Sequence, residues 1–147
     1  MLLVAECDLL VKDRITINNK VIKDFLIISC TGKNDLIGLR VNNIFFKEKI
    51  QTNTKKNDEL VSNIIKFLEK YDVIVDKNFS IVVNRGPGSF SSIRVSLSVA
   101  KGIQIAKGAK LYGYKDSNLS KFDAKNINLL IEKSLLESKL IKPIYLS

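Results

Sequence analysis

Short apolar runs separated by polar turns predict strands in the first third of the chain. The runs are "FLIIS" at 25–29, "LIGLRV" at 36–41 and "IFFKEKI" at 44–50. Runs of this length between turn residues are typical of strands, and the wholly apolar first run indicates one buried on both faces. Because the turns are short, we expect three antiparallel neighbours. Upstream, "ITINNKVI" predicts a weaker hairpin that turns at Asn18 and Asn19.

The spacing of apolar residues becomes helical after residue 53. Between residues 60 and 68 they recur three or four positions apart, which predicts a helix with Asn57 or Asp58 as its N-cap. A buried strand, "FSIVV", follows and ends at a Gly-Pro-Gly turn. A second helix is predicted from about Ser89 to Lys107, with Gly108 as its C-cap.

The last part of the chain predicts one more strand and one more helix. The strand is "AKLYGY", and an amphipathic helix is expected from Asn126 until Pro143 stops it. The order β-β-β-α-β-α-β plus a terminal helix indicates an α/β fold with a mixed sheet, because strands separated by helices favour parallel pairing. We expect an N-terminal extension of uncertain structure (1–24), one lobe (25–120) and a C-terminal helix and tail (121–147).

Composition narrows the possible chemistry. The 147 residues contain 24 Lys and Arg against 15 Asp and Glu, a net charge of +9, which suits an RNA or an acidic partner. The lysines are scattered, however, so an abundance of lysine alone would also explain the charge. With no histidine, imidazole catalysis and His-based zinc sites are excluded, and Cys7 and Cys30 lie too far apart for a redox or zinc motif.

The sequence predicts neither a membrane protein nor a metalloprotein. No apolar run reaches the length of a membrane span, and the N-terminus does not resemble a signal peptide. We therefore expect a cytoplasmic protein without a cofactor or metal.

The Gly-Pro-Gly turn is a candidate anion site. Glycine permits positive φ, the amides and dipole of the following helix favour an anion, and two arginines could add charge. The residues concerned are Arg85, Gly86, Pro87, Gly88, Ser89 and Arg94. The turn lacks the final Gly-Lys-Ser/Thr of a P-loop, and a tight strand-to-helix turn that only packs is the alternative.

The helix after this turn is a candidate interface. Much of its surface is small or apolar, whereas a helix with one buried side should carry a charged opposite face. Either the helix is buried within the monomer or one face belongs to another chain, together with the first helix. The candidate interface residues are Leu60, Val61, Ile64, Ile65, Ser92, Ser96, Val99, Gly102 and Ile103.

The segment "VVNRGPGSFSSIRVSLSVAKGIQIAKGAKLYGY" resembles the signature of the TsaB family of tRNA threonylcarbamoyladenosine biosynthesis proteins, typically G-R-G-P-G-S-F-T-G-L-R before a small-residue helix. Residues 85–90 and Arg94 match, whereas Ser91, Ser92 and Ile93 replace the usual Thr, Gly and Leu. "FLIISCTGKNDLIGL" is similar to the family's opening strands, and "IKPIYLS" to its closing segment. The second lobe of longer members has little counterpart here.

This resemblance implies a single actin-like (ribonuclease H-like) lobe and a non-catalytic scaffold role. The implied partner is a TsaD-like catalytic subunit, with a TsaE-like ATPase as a further member and tRNA bound through the complex. Self-association through the same two helices is implied as well. Ser29 stands where actin-like folds usually place an Asp, so ATP binding by this chain alone is not expected. The alternatives are a small phosphate- or nucleotide-binding protein that uses the turn, and a basic tRNA-contacting module.

Overall fold

A computed structural model describes residues 15–17, 20–50 and 57–145. The strands are β1 (Ile15–Ile17), β2 (Lys20–Ile22), β3 (Phe25–Ser29), β4 (Leu36–Val41), β5 (Ile44–Lys49), β6 (Ser80–Asn84) and β7 (Lys110–Tyr114). The helices are α1 (Asn57–Lys70), α2 (Phe90–Lys107) and α3 (Ala124–Glu132), with a 3-10 turn at Asp116–Asn118.

Five strands form a mixed sheet in the order β5-β4-β3-β6-β7. The pairs β3–β4 and β4–β5 are antiparallel, as the short turns predict, and Leu26 pairs with Leu39. The pairs β3–β6 and β6–β7 are parallel, with Leu26 beside Ile81. The expected mixed sheet is confirmed. Helices follow both β6 and the meander because parallel strands need crossover connections.

Apolar side chains project from both faces of the sheet and form two cores. One core lies under α1 and α2 and contains Ile28, Ile64 and Leu97. The other lies under α3 and contains Ile27, Val82 and Ile131. Alternate residues of β3 thus enter different cores, which explains why residues 25–28 are all apolar.

The predicted hairpin at the N-terminus is confirmed by its strand pairing. Ile15 lies opposite Ile22, and Ile17 opposite Lys20. The two connecting asparagines lie outside the described residues, as do residues 1–14. Within the expected extension, β1 and β2 are therefore paired antiparallel strands, and β1 contacts α3.

Both expected caps of α2 are confirmed. The Ser89 hydroxyl accepts a hydrogen bond from the Ser92 amide, and Gly108 adopts the left-handed conformation with φ 73°. The helix α1 begins at Asn57. The side chains of Asn57 and Asp58, the suggested caps, lie outside the described part of the chain.

The predicted C-terminal helix is wrong in its length. It begins at Ala124, capped by Asp123, and ends at Glu132, well short of Pro143. Ser134 has a φ of +56°, which breaks the helix. Beyond it, Glu137 exchanges two backbone hydrogen bonds of 2.8 Å with Gly113, so this segment adds to the edge of the sheet. The buried Leu136 and Ile141 explain the misleading apolar pattern.

Candidate functional site

An apolar groove of about 390 Å³ lies between α1 and α2. The α1 side presents branched side chains, and the α2 side combines the small residues Ser98, Gly102 and Ala106 with larger ones. The lining residues are Val61, Ile64, Ile65, Leu68, Val75, Ser98, Val99, Gly102, Ile103, Ala106 and Lys107. Both helices pack on the same face of the sheet, and the small residues of α2 leave the space between them open.

Six of the nine predicted interface residues line this groove. They are Val61, Ile64, Ile65, Val99, Gly102 and Ile103. The sequence predicted one surface for them because one face of each helix was expected to contact another chain. Leu68 and Ala106 were missed, although each lies three or four positions from a predicted residue and so continues its helical face.

The other three predicted interface residues lie elsewhere. Leu60 and Ser96 are buried in the core, and the Ser96 hydroxyl donates to the Ile93 carbonyl at 3.1 Å. Ser92 is half-buried, and its amide donates to the Ser89 hydroxyl at 3.3 Å. The side chains of Leu60 and Ser96 therefore do not reach the surface.

The groove is accessible to another molecule at both walls. Ile65 is 48% exposed, a large fraction for an isoleucine. Gly102 is exposed as well, and a Cβ built there would meet no atom within 4 Å. A side chain at position 102 would therefore project into open space without disturbing the fold.

Two amides of the glycine turn are paired inside the chain. The Gly86 amide donates to Asn84 Oδ1 at 2.9 Å, and the Ser89 amide donates to the Thr31 carbonyl at 2.9 Å. Gly86 has a φ of +106°, and a Cβ there would collide with the Ile144 carbonyl oxygen. A Cβ at Gly88 would lie 2.9 Å from the Thr31 carbonyl oxygen. Close packing of three segments accounts for both glycines.

The two arginines of the motif have different surroundings. Arg85 lies between β6 and the C-terminal segment, where Nε is 2.8 Å from Glu137 Oε2 and Nη1 donates to the Lys142 carbonyl at 2.9 Å. Arg94 is exposed, and its guanidinium lies over the Phe90 ring at 4.9 Å. Of the two, Arg94 is the one placed to meet an external ligand.

Polar side chains meet where the parallel strands end. Asn84 Nδ2 donates to Ser29 Oγ at 3.1 Å and to Asp116 Oδ1 at 2.9 Å. The Tyr114 ring is fully buried beside them, and burial strongly raises the pKa of its hydroxyl. Asp116 was missed by sequence reasoning, although its place just after β7 is where ligand-binding side chains of parallel sheets occur. Asn84 thus binds both Ser29 and Asp116, whereas the buried Tyr114 hydroxyl has no hydrogen-bond partner among the described residues.

Neither a metal-binding cluster nor a membrane-spanning helix occurs among the described residues. Among them, no three His, Cys, Asp or Glu side chains lie close enough together to hold a metal ion. None of the helices described is long and apolar enough to cross a membrane.

No protein-family profile and no curated protein matches this sequence, but solved structures match its fold. YeaZ from Pseudomonas aeruginosa matches with a TM-score of 0.59 and 16% identity, over 65% of this chain and 45% of YeaZ. A second structure, an uncharacterised protein from the same organism with similarity to peptidase YeaZ, gives the same TM-score and identity over 65% and 44%. RuvC of T. thermophilus in complex with a Holliday junction matches at a TM-score of 0.45 and 11% identity, over 80% and 82%.

The two YeaZ-like structures confirm the fold expected from the motif. YeaZ belongs to the TsaB family, so the chain has a TsaB-like α/β fold built on a five-stranded mixed sheet. The chain spans less than half the length of the YeaZ structures that it matches.

Proposed function

We propose that this chain is a non-catalytic subunit of the cytoplasmic complex that forms threonylcarbamoyladenosine in tRNA. Its partner is a TsaD-like catalytic subunit, which binds along α1 and α2. A TsaE-like ATPase joins the pair, and tRNA binds through the assembled complex.

The groove between the two helices is the observation that carries this proposal. Contiguous exposed apolar surface on a soluble domain marks a binding site, because water contact with that surface is unfavourable. Val61 and Ile65 supply an apolar wall above the buried Val99, and Gly102 lets a partner helix approach the α2 backbone closely. The identity of the partner rests on the TsaB-like fold together with the Arg85–Phe90 motif.

The scaffold role is supported by how the strand-end groups are engaged. Asn84 is bonded to both Ser29 and Asp116, and the turn amides at Gly86 and Ser89 are bonded within the chain. Such pairing stabilises the fold and offers a substrate few polar groups at this edge of the sheet. The proposal therefore places catalysis on the partner.

Size-exclusion chromatography with light scattering tests the pairing, on the chain alone and mixed with the TsaD-like subunit of the same genome. We expect a 1:1 heterodimer. Gly102→Glu should abolish it, because the new carboxylate would lie within an apolar contact without a partner. Ile105→Glu is the matched control on α2, since Ile105 is 84% exposed and lies outside the groove lining.

Three outcomes would contradict the proposal. In the first, the two subunits elute separately at micromolar concentrations. In the second, the heterodimer forms but Gly102→Glu binds as tightly as Ile105→Glu. If the chain instead forms a homodimer that Gly102→Glu disrupts and the TsaD-like subunit does not displace, the groove binds a second copy and the proposed partner is wrong.

A further inference from the structure

Phe90 is a large apolar side chain that contributes little to the core. It is the first residue of α2 and is 57% exposed. The Ser89 amide before it donates to the Thr31 carbonyl, which anchors the start of α2. The ring thus lies at the surface of an anchored helix end.

Three planar groups surround this position and form what we call the stacking cluster: Phe90, Arg94 and Tyr145. The Phe90 and Tyr145 ring centroids are 4.8 Å apart with 42° between their planes. The Arg94 guanidinium lies 4.9 Å from the Phe90 centroid. Tyr145 is 37% exposed and Arg94 is exposed, so both ends of the cluster are open to solvent.

A shallow hollow lies beside the stacking cluster. Its volume is about 220 Å³, and its lining combines Phe90 and Val95 with Arg94 and the hydroxyls of Ser91 and Ser98. This is smaller than the roughly 300–1,000 Å³ pockets that hold drug-sized ligands. The size suits a single planar ring with polar edges.

Charge favours a negatively charged ligand at this end of the molecule. Arg94 is part of the cluster, and residues 90–107 contain no carboxylate. Lys101 and Lys107 lie about 10 and 20 Å farther along α2. Lys142, close to Tyr145 in the chain, is exposed as well. Together with the net charge of +9, this arrangement attracts a polyanion.

We infer that the stacking cluster binds single-stranded nucleic acid, with an unpaired base stacked on Phe90 or Arg94 and the adjacent phosphate held by Arg94. Aromatic rings and arginine planes are the usual platforms for unstacked bases. A protein partner is the weaker fit, because this hollow is small and half polar, unlike the long apolar groove between α1 and α2. The inference does not rest on the proposed pairing with a TsaD-like subunit.

Fluorescence anisotropy of labelled 12-nucleotide RNA and DNA strands tests this on the full chain at low and moderate salt. We expect binding that weakens with salt, and a loss of about tenfold or more in affinity for Phe90→Ala, since stacking of one base contributes about that much. Arg94→Lys should lose less than Arg94→Ala, which should also reduce the salt dependence by about one phosphate contact. Ile105→Ala, an exposed apolar residue on the same helix, should bind normally.

Three results would overturn the inference. The first is a flat titration of both strands at low salt, which would show that the chain binds neither. The second is equal affinity for Phe90→Ala and the unchanged protein, which would leave only nonspecific attraction by charge. The third is a Phe90→Ala variant that loses the TsaD-like subunit but retains the strands, which would make the cluster part of a protein interface.

Discussion

Arg85 Nε lies 2.8 Å from Glu137 Oε2, which joins the end of β6 to the segment after α3. The Arg85 side chain is only 14% exposed, so the pair is better shielded from water than most surface ion pairs. On the same residue, Nη1 donates to the Lys142 carbonyl, and the carbonyl oxygen accepts from the Ile144 amide at 2.7 Å. One arginine thus holds the C-terminal segment over the glycine turn.

Arg85→Ala should therefore destabilise the protein by about 1–3 kcal/mol, because it removes charge-assisted hydrogen bonds from a shielded site. Urea denaturation followed by circular dichroism measures the change. Lys101→Ala is the control, since Lys101 is exposed on α2 and should change stability by about 0.5 kcal/mol or less. A loss for Arg85→Ala no larger than that of the control would show that the C-terminal segment is held by other contacts.

Two glycines should respond in opposite directions to replacement by alanine. Gly86 has a φ of +106° and no room for a Cβ against the Ile144 carbonyl, so Gly86→Ala should cost about 2 kcal/mol or more. Gly102 lies inside α2 with open space around it, so Gly102→Ala should gain about 0.5–1 kcal/mol through helix propensity. Thermal and urea unfolding of the pair check both signs. Equal effects would contradict the close approach at Gly86.

The sequence predicted the elements whose contacts are local. The strand "FLIIS" and the α2 caps at Ser89 and Gly108 are specified by neighbouring residues, and the structure has them as expected. The end of α3 depends on the pairing of Glu137 with Gly113, which are distant in sequence and leave no local signal. For the same reason the bond between Asn84 and Asp116 could not be found from spacing.

Most residues of the candidate groove were predictable, whereas the burial of their neighbours in the core was not. Helical periodicity identified Val61, Ile65 and Val99 as one surface. It could not tell that Ser96 points into the core, because serine is common both on helix surfaces and at close contacts between helices. Burial depends on the angle between the helix and the sheet, and the sequence does not state that angle.

Asp35 should make stability depend on pH. It is 7% exposed, and burial raises the pKa of its carboxyl, although Oδ1 accepts a hydrogen bond from the Gly32 amide at 2.9 Å. Because the folded chain holds this proton more tightly than the unfolded chain, Asp35 stabilises the protein less as the pH rises from about 4 through the raised pKa. Above that window its contribution stays at the lower level.

Asp35→Asn should remove this dependence while keeping an oxygen to accept from Gly32. The free energy of unfolding of the variant minus that of the unchanged protein should therefore be more favourable to the variant at pH 7 than at pH 4. Urea unfolding of both proteins at the two pH values gives the comparison. A difference between the proteins that is the same at both pH values would show that the carboxyl titrates alike in the folded and unfolded chains.

Asn84 is 1% exposed, and its side chain is hydrogen-bonded to Ser29, Asp116 and the Gly86 amide at once. Asn84→Asp keeps the acceptor for the Gly86 amide but turns the Nδ2 donor into an oxygen facing the Asp116 carboxylate. A buried charge without a partner costs about 3–5 kcal/mol, so a loss of that order is expected at pH 7. It should shrink at lower pH, because the neighbouring carboxylate raises the pKa of the new one and favours its protonated form.

The second variant is Asp116→Asn combined with Asn84→Asp, which restores one donor and one acceptor across the same contact with their places exchanged. This double variant should be more stable than Asn84→Asp alone, with an interaction energy of about 1–3 kcal/mol in a double-mutant cycle. Urea unfolding of the four proteins at pH 7 supplies the cycle. Strictly additive effects would mean that the two side chains do not depend on each other, and the 2.9 Å contact would then not be what holds the strand ends together.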